Sequence, residues 1–354
     1  MIYCSSLYTQ WHLDAKGKEA PCCFYNTRGK TVDLATDRAL MQSGQWPSNC
    51  EYCQLSEIKG VRSPRLDYTG RVRAGGLADY EESLHSLSVF LGNKCNLHCA
   101  TCDAKYSTGW IKIAPEFGVE SAPHVGFDTM RLDSMKHRLG NLRELHVMGG
   151  EPFYQDDLSK LIDYLSDLEL DKCLLRITTN GVTTPSTGLL QRLDRFREVH
   201  LSISIDGLGD RYEYLRHPAK WQDLIGNIAQ FRNMPKVTQM NMNSTVSMAN
   251  CWDIEEVATW GVRTFGTNFE FNMARKVQWE LSNLPQALKQ DWFDRFGHRS
   301  WARAIASHVA ADPTDSSGWQ RFRVFVDQWD RKWNLDFAST FPEWTVAIKK
   351  HNLW

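Results

Sequence analysis

Short β-like runs alternate with longer amphipathic segments from residue 84 to residue 273, and this alternation restricts the possible folds more than any other feature of the 354-residue chain. Parallel βα units have this pattern, because each helix returns the chain to the start of the next strand. The predicted strands are residues 88–92, 144–148, 174–178, 199–205, 239–246 and 268–272. The predicted helices between them are residues 156–168, 188–196, 221–232 and 253–260. The sequence therefore predicts an α/β protein with six βα units.

Four of the predicted strands carry polar side chains at alternate positions. They are Arg176, Thr178 and Asn180; Ser202, Ser204 and Asp206; Asn241, Asn243 and Thr245; and Asn268, Glu270 and Asn272. Residues two apart on a strand share one face of the sheet, so that apolar neighbours such as Leu201 and Ile203 face the helices. A barrel packed with side chains would not bury so many polar groups. We infer that the polar face lines a lumen that holds a ligand.

The loop after the first predicted strand contains three cysteines with the spacing C-x3-C-x2-C, namely Cys95, Cys99 and Cys102. The chain has ten cysteines, and in a reducing compartment such a number favours metal binding over disulfides. A zinc site would need a fourth ligand close by, and His98 inside the loop is poorly placed for that role. Three cysteines on an iron-sulfur cluster leave one iron open to an outside ligand. The loop therefore predicts such a cluster, with a structural metal loop as the alternative.

The segment Gly149-Gly150-Glu151-Pro152 follows the second predicted strand. Its glycines let the backbone approach a ligand, and the Glu151 carboxylate can accept hydrogen bonds from an ammonium group. Together with the cysteine loop, this turn resembles the signature of the radical SAM superfamily. The resemblance implies a partial (β/α)6 TIM-like barrel whose open iron binds S-adenosylmethionine (SAM). It also implies that an electron from the 4Fe-4S cluster cleaves SAM to a 5'-deoxyadenosyl radical.

The resemblance also implies a set of contacts to SAM. The residues assigned to these contacts are Gly149, Gly150, Glu151, Pro152, Asn180, Ser204, Asp206 and Arg216. The Gly-Gly-Glu turn would bind the methionine amino group, and Ser204 and Arg216 the ribose and the carboxylate. Asn180 has a purely structural alternative in its turn, and Arg216 has one in a surface ion pair with Asp210 or Glu213. Many members have an aromatic residue at the position of Thr101.

Four further cysteines near the N-terminus could complete a second metal site, namely Cys4, Cys22, Cys50 and Cys53. Four thiolates suit either tetrahedral zinc or a fully ligated 4Fe-4S cluster, and Cys23 could replace its neighbour Cys22. Gly17 is predicted to form a hairpin turn between the flanking segments. The pattern resembles the twitch module of SPASM/twitch radical SAM enzymes, which implies an auxiliary 4Fe-4S cluster. In this chain the module precedes the barrel.

These patterns predict four regions: an auxiliary-cluster module at 1–60, a linker at 61–83, the partial barrel at 84–275 and a helical region at 276–354. The Gly, Arg and Pro content of residues 57–79 favours a connector. The segment contains four arginines that are predicted to be solvated, with binding of a substrate carboxylate or phosphate as the alternative. They are Arg62, Arg65, Arg71 and Arg73. Eight tryptophans follow residue 276 and are predicted to be core residues, with a lid over the barrel as the alternative. Cys173 and Cys251 are predicted to be buried apolar thiols.

Composition restricts the partners. A net charge of −1 offers no basic face for nucleic acid, although a single nucleotide stays possible. The first residues lack the basic and apolar pattern of a signal peptide, and no apolar run is long enough to cross a membrane, so the sequence predicts a cytoplasmic protein without a membrane partner.

By the resemblance, the function is that of a radical SAM oxidoreductase or modifying enzyme, reduced by a flavodoxin or ferredoxin. Its substrate would be a peptide or protein residue, undergoing RiPP-type oxidation, epimerisation or cross-linking. The alternatives are a small molecule (an aminosugar, an alcohol or a nucleotide) and a non-enzymatic iron-sulfur electron-transfer protein. The sequence assigns no catalytic acid or base.

Overall fold

The computed structural model describes residues 2–14, 18–27, 32–58, 60, 62–74, 82–266 and 269–354. Within them, eight strands form one open sheet in the order β2-β1-β3-β4-β5-β6-β7-β8. The strands are β1 Gln10–Leu13, β2 Glu19–Ala20, β3 Ser86–Phe90, β4 Glu144–Met148, β5 Leu174–Thr179, β6 Glu198–Ser204, β7 Val237–Val246 and β8 Phe269–Met273. β1 pairs in antiparallel fashion with β2, whereas the pairs β1–β3, β3–β4, β4–β5 and β7–β8 are parallel. The predicted α/β class is confirmed.

Helices follow most of the strands. The α-helices are α1 Ser6–Thr9, α2 Leu34–Gln42, α3 Glu51–Ile58, α4 Pro64–Ala74, α5 Thr108–Ile113, α6 Asp157–Tyr164, α7 Thr187–Leu193, α8 Asp210–Leu215, α9 Trp221–Arg232, α10 Ile254–Phe265, α11 Gln286–Phe296, α12 Arg303–Ala310, α13 Gly318–Trp333, α14 Phe337–Thr340 and α15 Pro342–Lys350. Shorter 3-10 segments are Ser48–Cys50, Ala114–Phe117, Thr129–Asn141, Pro152–Tyr154, Leu170–Lys172 and Leu281–Asn283. Among the described residues, every helix falls short of the length and apolarity that crossing a bilayer requires.

The chain divides into two compact units. The first comprises Met1–Asn93, Val125–Thr178 and Pro185–His200, and the second Lys94–His124, Thr179–Thr184 and Leu201–Trp354. In the first unit, one face of the sheet is apolar: Leu13, Val89, Val147 and Ile177 are aligned in register and inaccessible to solvent. Burial of this row supplies the hydrophobic contribution that holds β1, β3, β4 and β5 together.

The N-terminal segment of the first unit contributes two strands to the sheet. β1 and β2 form a hairpin in which Leu13 is opposite Glu19, and the main-chain N–H of Asp14 donates to the carbonyl of Lys18 over 2.9 Å. The antiparallel pairing agrees with the predicted turn, although Gly17 lies outside the described residues. The parallel pairing of β1 with β3 was not predicted, because four mixed residues carry no strand periodicity.

The predicted connector at 57–79 is wrong in its central part, where α4 spans Pro64–Ala74. Proline is tolerated in the first turn of a helix, since its missing N–H would have no partner there. Arg71 and Arg73 in the last turn are favourably placed next to the helix C-terminus. Gly75 and Gly76, also assigned to the connector, lie outside the described residues, as does Asn268 at the predicted start of the last strand.

The prediction that the tryptophans after residue 276 are core residues is confirmed for part of the set, whereas Trp354 is exposed. Trp292, Trp329 and Trp344 are inaccessible to solvent, and each indole N–H donates to a main-chain carbonyl, over 3.1, 3.2 and 2.7 Å respectively. Such an acceptor offsets the cost of burying an indole N–H, although the buried Nε1 of Trp279 has no partner among the described residues. Cys173 and Cys251 are also buried, as predicted.

Asp253, just before α10, gives the second unit a pH-dependent stability. Burial raises the pKa of its carboxyl group to about 6, although Arg211 lies 3.2 Å away and favours the charged form. Because the folded state holds the Asp253 proton more tightly than the unfolded state does, this group contributes its full stability below about pH 4. The contribution is lost as the pH rises through about 6 and the buried carboxyl group ionises. Asparagine does not ionise, so Asp253→Asn should escape this loss. The free energy of unfolding of the variant minus that of the parent should therefore be about 1 kcal/mol larger at pH 8 than at pH 5.

Urea denaturation at the two pH values measures this effect. Glu256→Gln is the matched control, because Glu256 is the more exposed carboxylate on the same arginine. Parallel pH profiles for Asp253→Asn and the parent would contradict the prediction.

Candidate functional site

The cysteine loop lies in the second unit, and its main chain is held in place by hydrogen bonds. The N–H groups of His98 and Ala100 donate to the carbonyls of His217 and Leu215 over 3.0 and 2.7 Å. The indole of Trp110 on α5 donates to the carbonyl of Cys99 over 2.9 Å. These bonds hold the main chain of a loop whose three thiols are half-buried, and the N–H of Leu97 also donates to Cys95 Sγ over 3.4 Å.

Asn180 and Arg216 direct N–H groups at the thiols of this loop. Asn180 Nδ2 lies 3.9 Å from Cys95 Sγ and donates to Asn96 Oδ1 over 2.8 Å. Arg216 Nη1 lies 3.9 Å from Cys99 Sγ. Donors close to sulfur stabilise the thiolate form and are among the groups that set cluster potentials. The Asn180 side chain also accepts a hydrogen bond from Val182 N–H over 2.9 Å, so it shapes its own turn as well.

Arg216 forms a buried ion pair with Asp206, with 2.8 Å between Nη2 and Oδ2. Burial favours the neutral guanidine, but Asp206 and Cys99 more than offset this and raise the pKa of Arg216. The alternative of a surface ion pair is wrong, because Glu213 instead pairs with Lys220. Within the described residues, the Arg216 Nε atom is buried without a hydrogen-bond partner. The Nε–H group can therefore donate a hydrogen bond to an anionic ligand.

Ser204 ends β6, and the same polar face continues into β7. Asn241 Nδ2 donates to Ser202 Oγ over 3.2 Å, and the N–H of Thr245 donates to Asp206 Oδ1 over 2.7 Å. The predicted alternation is confirmed on β6, where Leu201 and Ile203 are inaccessible to solvent.

The Gly-Gly-Glu-Pro turn lies in the first unit and requires its glycines. Gly149 has φ 101°, and a Cβ there would lie 2.6 Å from the Phe90 ring. Glu151 is inaccessible to solvent, and its Oε1 accepts from the N–H of Phe153 over 3.0 Å. Gln155, which was not predicted, donates to the carbonyl of Gly149 over 2.9 Å. The predicted amino-group ligand is therefore a buried, oriented carboxylate.

The four N-terminal cysteines line one cavity in the first unit, which also contains Tyr25, Trp46 and Arg65. Cys22 lines it, whereas Cys23 does not and is exposed. Burial raises the pKa of the Cys53 thiol to about 11 and that of Cys22 well above its ordinary value. As they stand, no three His, Cys, Asp or Glu side chains in the described part of the chain form a metal-binding group. Four thiols around one cavity are nevertheless a donor set that suits tetrahedral zinc or a fully ligated 4Fe-4S cluster, and binding of either would favour the thiolate forms that burial disfavours.

A polar row crosses the first unit on the sheet face opposite its apolar row. His12, Ser88, His146 and Arg176 are aligned in register on β1, β3, β4 and β5. His146 Nε2 lies 3.0 Å from Thr178 Oγ1, and burial, followed by Arg176, lowers the pKa of its imidazole to about 4. His12 and His146 were not predicted, because only the parallel register reveals the row.

Lys276, which was not predicted either, lies beside the cysteine loop. Its ammonium lies 3.2 Å from Asp103 Oδ2 and donates to the carbonyl of Cys102. It thus places a positive charge beside the third cysteine of the loop. A lysine in a helical tail region carries no sequence signal that points to this contact.

The radical SAM superfamily matches residues 89–246. This segment of the chain is therefore similar to a radical SAM domain. The matched segment includes the cysteine loop, the Gly-Gly-Glu-Pro turn and Arg216. The auxiliary cysteines precede it.

Two curated relatives share part of the chain. GTP 3',8-cyclase of Syntrophomonas wolfei subsp. wolfei (strain DSM 2245B / Goettingen) is 25% identical over 145 residues, covering 39% of this chain and 40% of the relative. GTP 3',8-cyclase of Sulfurovum sp. (strain NBC37-1) is 24% identical over 162 residues, covering 46% and 45%. The chain thus matches less than half the length of either relative.

Similar solved structures include native anSMEcpe with bound AdoMet, with 17% identity, a TM-score of 0.41 and coverage of 54% of this chain and 52% of that one. Streptococcus suis SuiB bound to precursor peptide SuiA has 11% identity, a TM-score of 0.41 and coverage of 97% and 75%.

Proposed function

We propose that this protein is a radical SAM enzyme that uses its three-cysteine loop to hold a SAM-cleaving 4Fe-4S cluster. The observation that carries the proposal is the convergence of Asn180 and the Asp206–Arg216 pair on the thiols of a loop whose backbone is already fixed. Buried ion pairs are costly to form, so one beside a three-cysteine loop is better explained by ligand binding than by stability.

The proposed roles follow from these contacts. Cys95, Cys99 and Cys102 hold the cluster, which when bound supplies the electron that cleaves SAM to a 5'-deoxyadenosyl radical. Arg216 binds the SAM carboxylate through the N–H groups that Asp206 leaves free, and Glu151 accepts from the amino group. Ser204 and Asp206 are proposed to contact the ribose, and Asn180 to orient the first cysteine.

We assign an auxiliary 4Fe-4S cluster to Cys4, Cys22, Cys50 and Cys53. Four thiols lining one cavity leave no open coordination position, which suits an electron-relaying cluster better than one that binds substrate. The proposed reductant of the enzyme is a flavodoxin or ferredoxin.

The proposed substrate is a peptide or protein residue, as the resemblance to SPASM/twitch enzymes implies. The second candidate is a small molecule, and the relatives named GTP 3',8-cyclase favour it. The two are distinguished by adding either GTP or short peptides encoded beside the gene and measuring whether 5'-deoxyadenosine formation increases. An increase with GTP alone would contradict the peptide assignment.

Anaerobic reconstitution with iron, sulfide, dithionite and SAM tests the activity. The full chain should bind about eight irons and release 5'-deoxyadenosine. Cys99→Ala should reduce 5'-deoxyadenosine to background and retain about four irons, because the remaining cluster lies at the auxiliary site. Cys173→Ala, at a buried thiol outside both groups, is the matched control and should behave as the parent. Iron binding without 5'-deoxyadenosine in the parent would instead support the electron-transfer alternative.

A further inference from the structure

Arg65 on α4 borders the cavity of the four N-terminal cysteines and is fixed from several sides. Its Nε and Nη2 donate to the two carboxylate oxygens of Glu57 on α3, over 2.9 and 2.6 Å. Its Nη1 donates to the carbonyl of Tyr3, and the guanidinium lies 5.3 Å from the centroid of the Trp46 ring. Only 13% of its side chain is exposed. The arginine that was predicted to be solvated is therefore held in one orientation.

The positive charge of Arg65 acts on the thiols of this cavity. Arg65 lines the same cavity as Cys4, Cys50 and Cys53, where its charge favours their thiolate forms. The carboxylate of Glu57 acts on Cys53 in the opposite sense. Both members of the ion pair are thus electrostatically coupled to the same ligand.

Glu57 is charged at neutral pH. Burial alone would raise the pKa of its carboxyl group, but hydrogen bonds from Arg65 and Ser63 outweigh burial and lower it. Bidentate arginine–carboxylate pairs are geometrically specific, which keeps the two charges at fixed positions beside the cavity.

A cluster held by four thiolates carries net negative charge, and reduction increases it. A nearby cation stabilises the reduced form and raises the reduction potential, whereas a nearby anion lowers it. At the edge of a cavity this effect is stronger than at the surface, because solvent screens it less.

We propose that Arg65 is the charge-compensating residue of the auxiliary site and that Arg65 and Glu57 together set its reduction potential. The proposal rests on the proposed auxiliary 4Fe-4S cluster. It assigns the Arg65 guanidinium an electrostatic role without direct contact to the cluster.

The experiment measures the potential of the auxiliary cluster alone. Full-length protein with Cys95, Cys99 and Cys102 replaced by alanine should retain only this cluster, with about four irons. Arg65→Gln and Glu57→Gln are introduced into this background, and the midpoint potential is measured by titration with detection by electron paramagnetic resonance. Arg65→Gln should lower the potential and Glu57→Gln should raise it.

The opposite signs separate an electrostatic role from a structural one. Both substitutions break the same ion pair, so structural damage would change both variants in the same direction. Arg65→Lys retains the charge and should stay close to the parent. Asp67→Asn is the matched control, since Asp67 lies on the same helix but pairs with the exposed Arg62 away from the cavity. Its potential should be unchanged.

Shifts of the same sign, or no shift with four irons retained, would overturn the role of Arg65 while leaving the auxiliary cluster in place. Zinc instead of iron in the background protein would overturn the cluster assignment and the inference with it. If Arg65→Gln fails to bind iron, Glu57→Gln and Arg65→Lys still decide the outcome. A higher midpoint potential in Glu57→Gln together with an unchanged one in Arg65→Lys supports the proposal. Any other combination opposes it.

Discussion

Replacing Arg216 with methionine should lower the free energy of unfolding by about 3–5 kcal/mol and abolish SAM binding. The substitution leaves the Asp206 carboxylate buried without its countercharge, and a buried unpaired charge is among the most destabilising changes in a protein. It also removes the N–H groups proposed to bind the SAM carboxylate. Urea denaturation measures the first effect, and isothermal titration of the reconstituted protein with SAM measures the second.

The double variant Asp206→Asn with Arg216→Met separates the two effects. Asparagine keeps an oxygen to accept the hydrogen bond from the N–H of Thr245, while no buried charge remains. The double variant should therefore recover most of the stability lost in Arg216→Met but none of the SAM binding. Lys220→Met removes an exposed lysine that pairs with Glu213 and should change neither property. SAM binding by the double variant at the affinity of the parent would contradict the proposed carboxylate contact.

The sheet could be predicted where a strand has a pattern of its own. β4 has the predicted bounds, Glu144–Met148, because Leu145 and Val147 alternate with more polar residues and two glycines end the run. β1 could not be predicted, since its four residues become a strand only by pairing with β3. α4 was missed for a related reason: the local composition favours a turn, but the arginines of the segment find partners that the sequence does not show.

The site was predictable in its residue types and less so in its pairings. Asp206, Asp210 and Glu213 are all close to Arg216 in sequence, and the sequence offers no reason to prefer one of them. Burial decides among them, because Asp206 is inaccessible to solvent whereas Glu213 faces the exposed Lys220. Cys22 and Cys23 likewise differ only once the fold directs one of them into the cavity.

Replacing both Cys50 and Cys53 with alanine should reduce the iron content from about eight to about four per chain while retaining cleavage of SAM. The three-cysteine loop is held by its own main-chain hydrogen bonds in the second unit, so the loss of auxiliary ligands should not affect it. Substrate conversion should be lost, because the substrate radical would have no electron acceptor. Iron analysis, 5'-deoxyadenosine release and product formation with the substrate class that stimulates cleavage measure the three quantities.

Cys23→Ala and Cys22→Ala form the matched control pair for this prediction. The two positions are adjacent, but only Cys22 lines the cavity, so Cys23→Ala should keep about eight irons and full conversion while Cys22→Ala behaves like the double variant. About four irons and one zinc in the parent protein would contradict the auxiliary cluster. Full conversion by Cys50→Ala/Cys53→Ala with about four irons would show that the auxiliary site is dispensable for the reaction, which would restrict its four thiolates to a structural role.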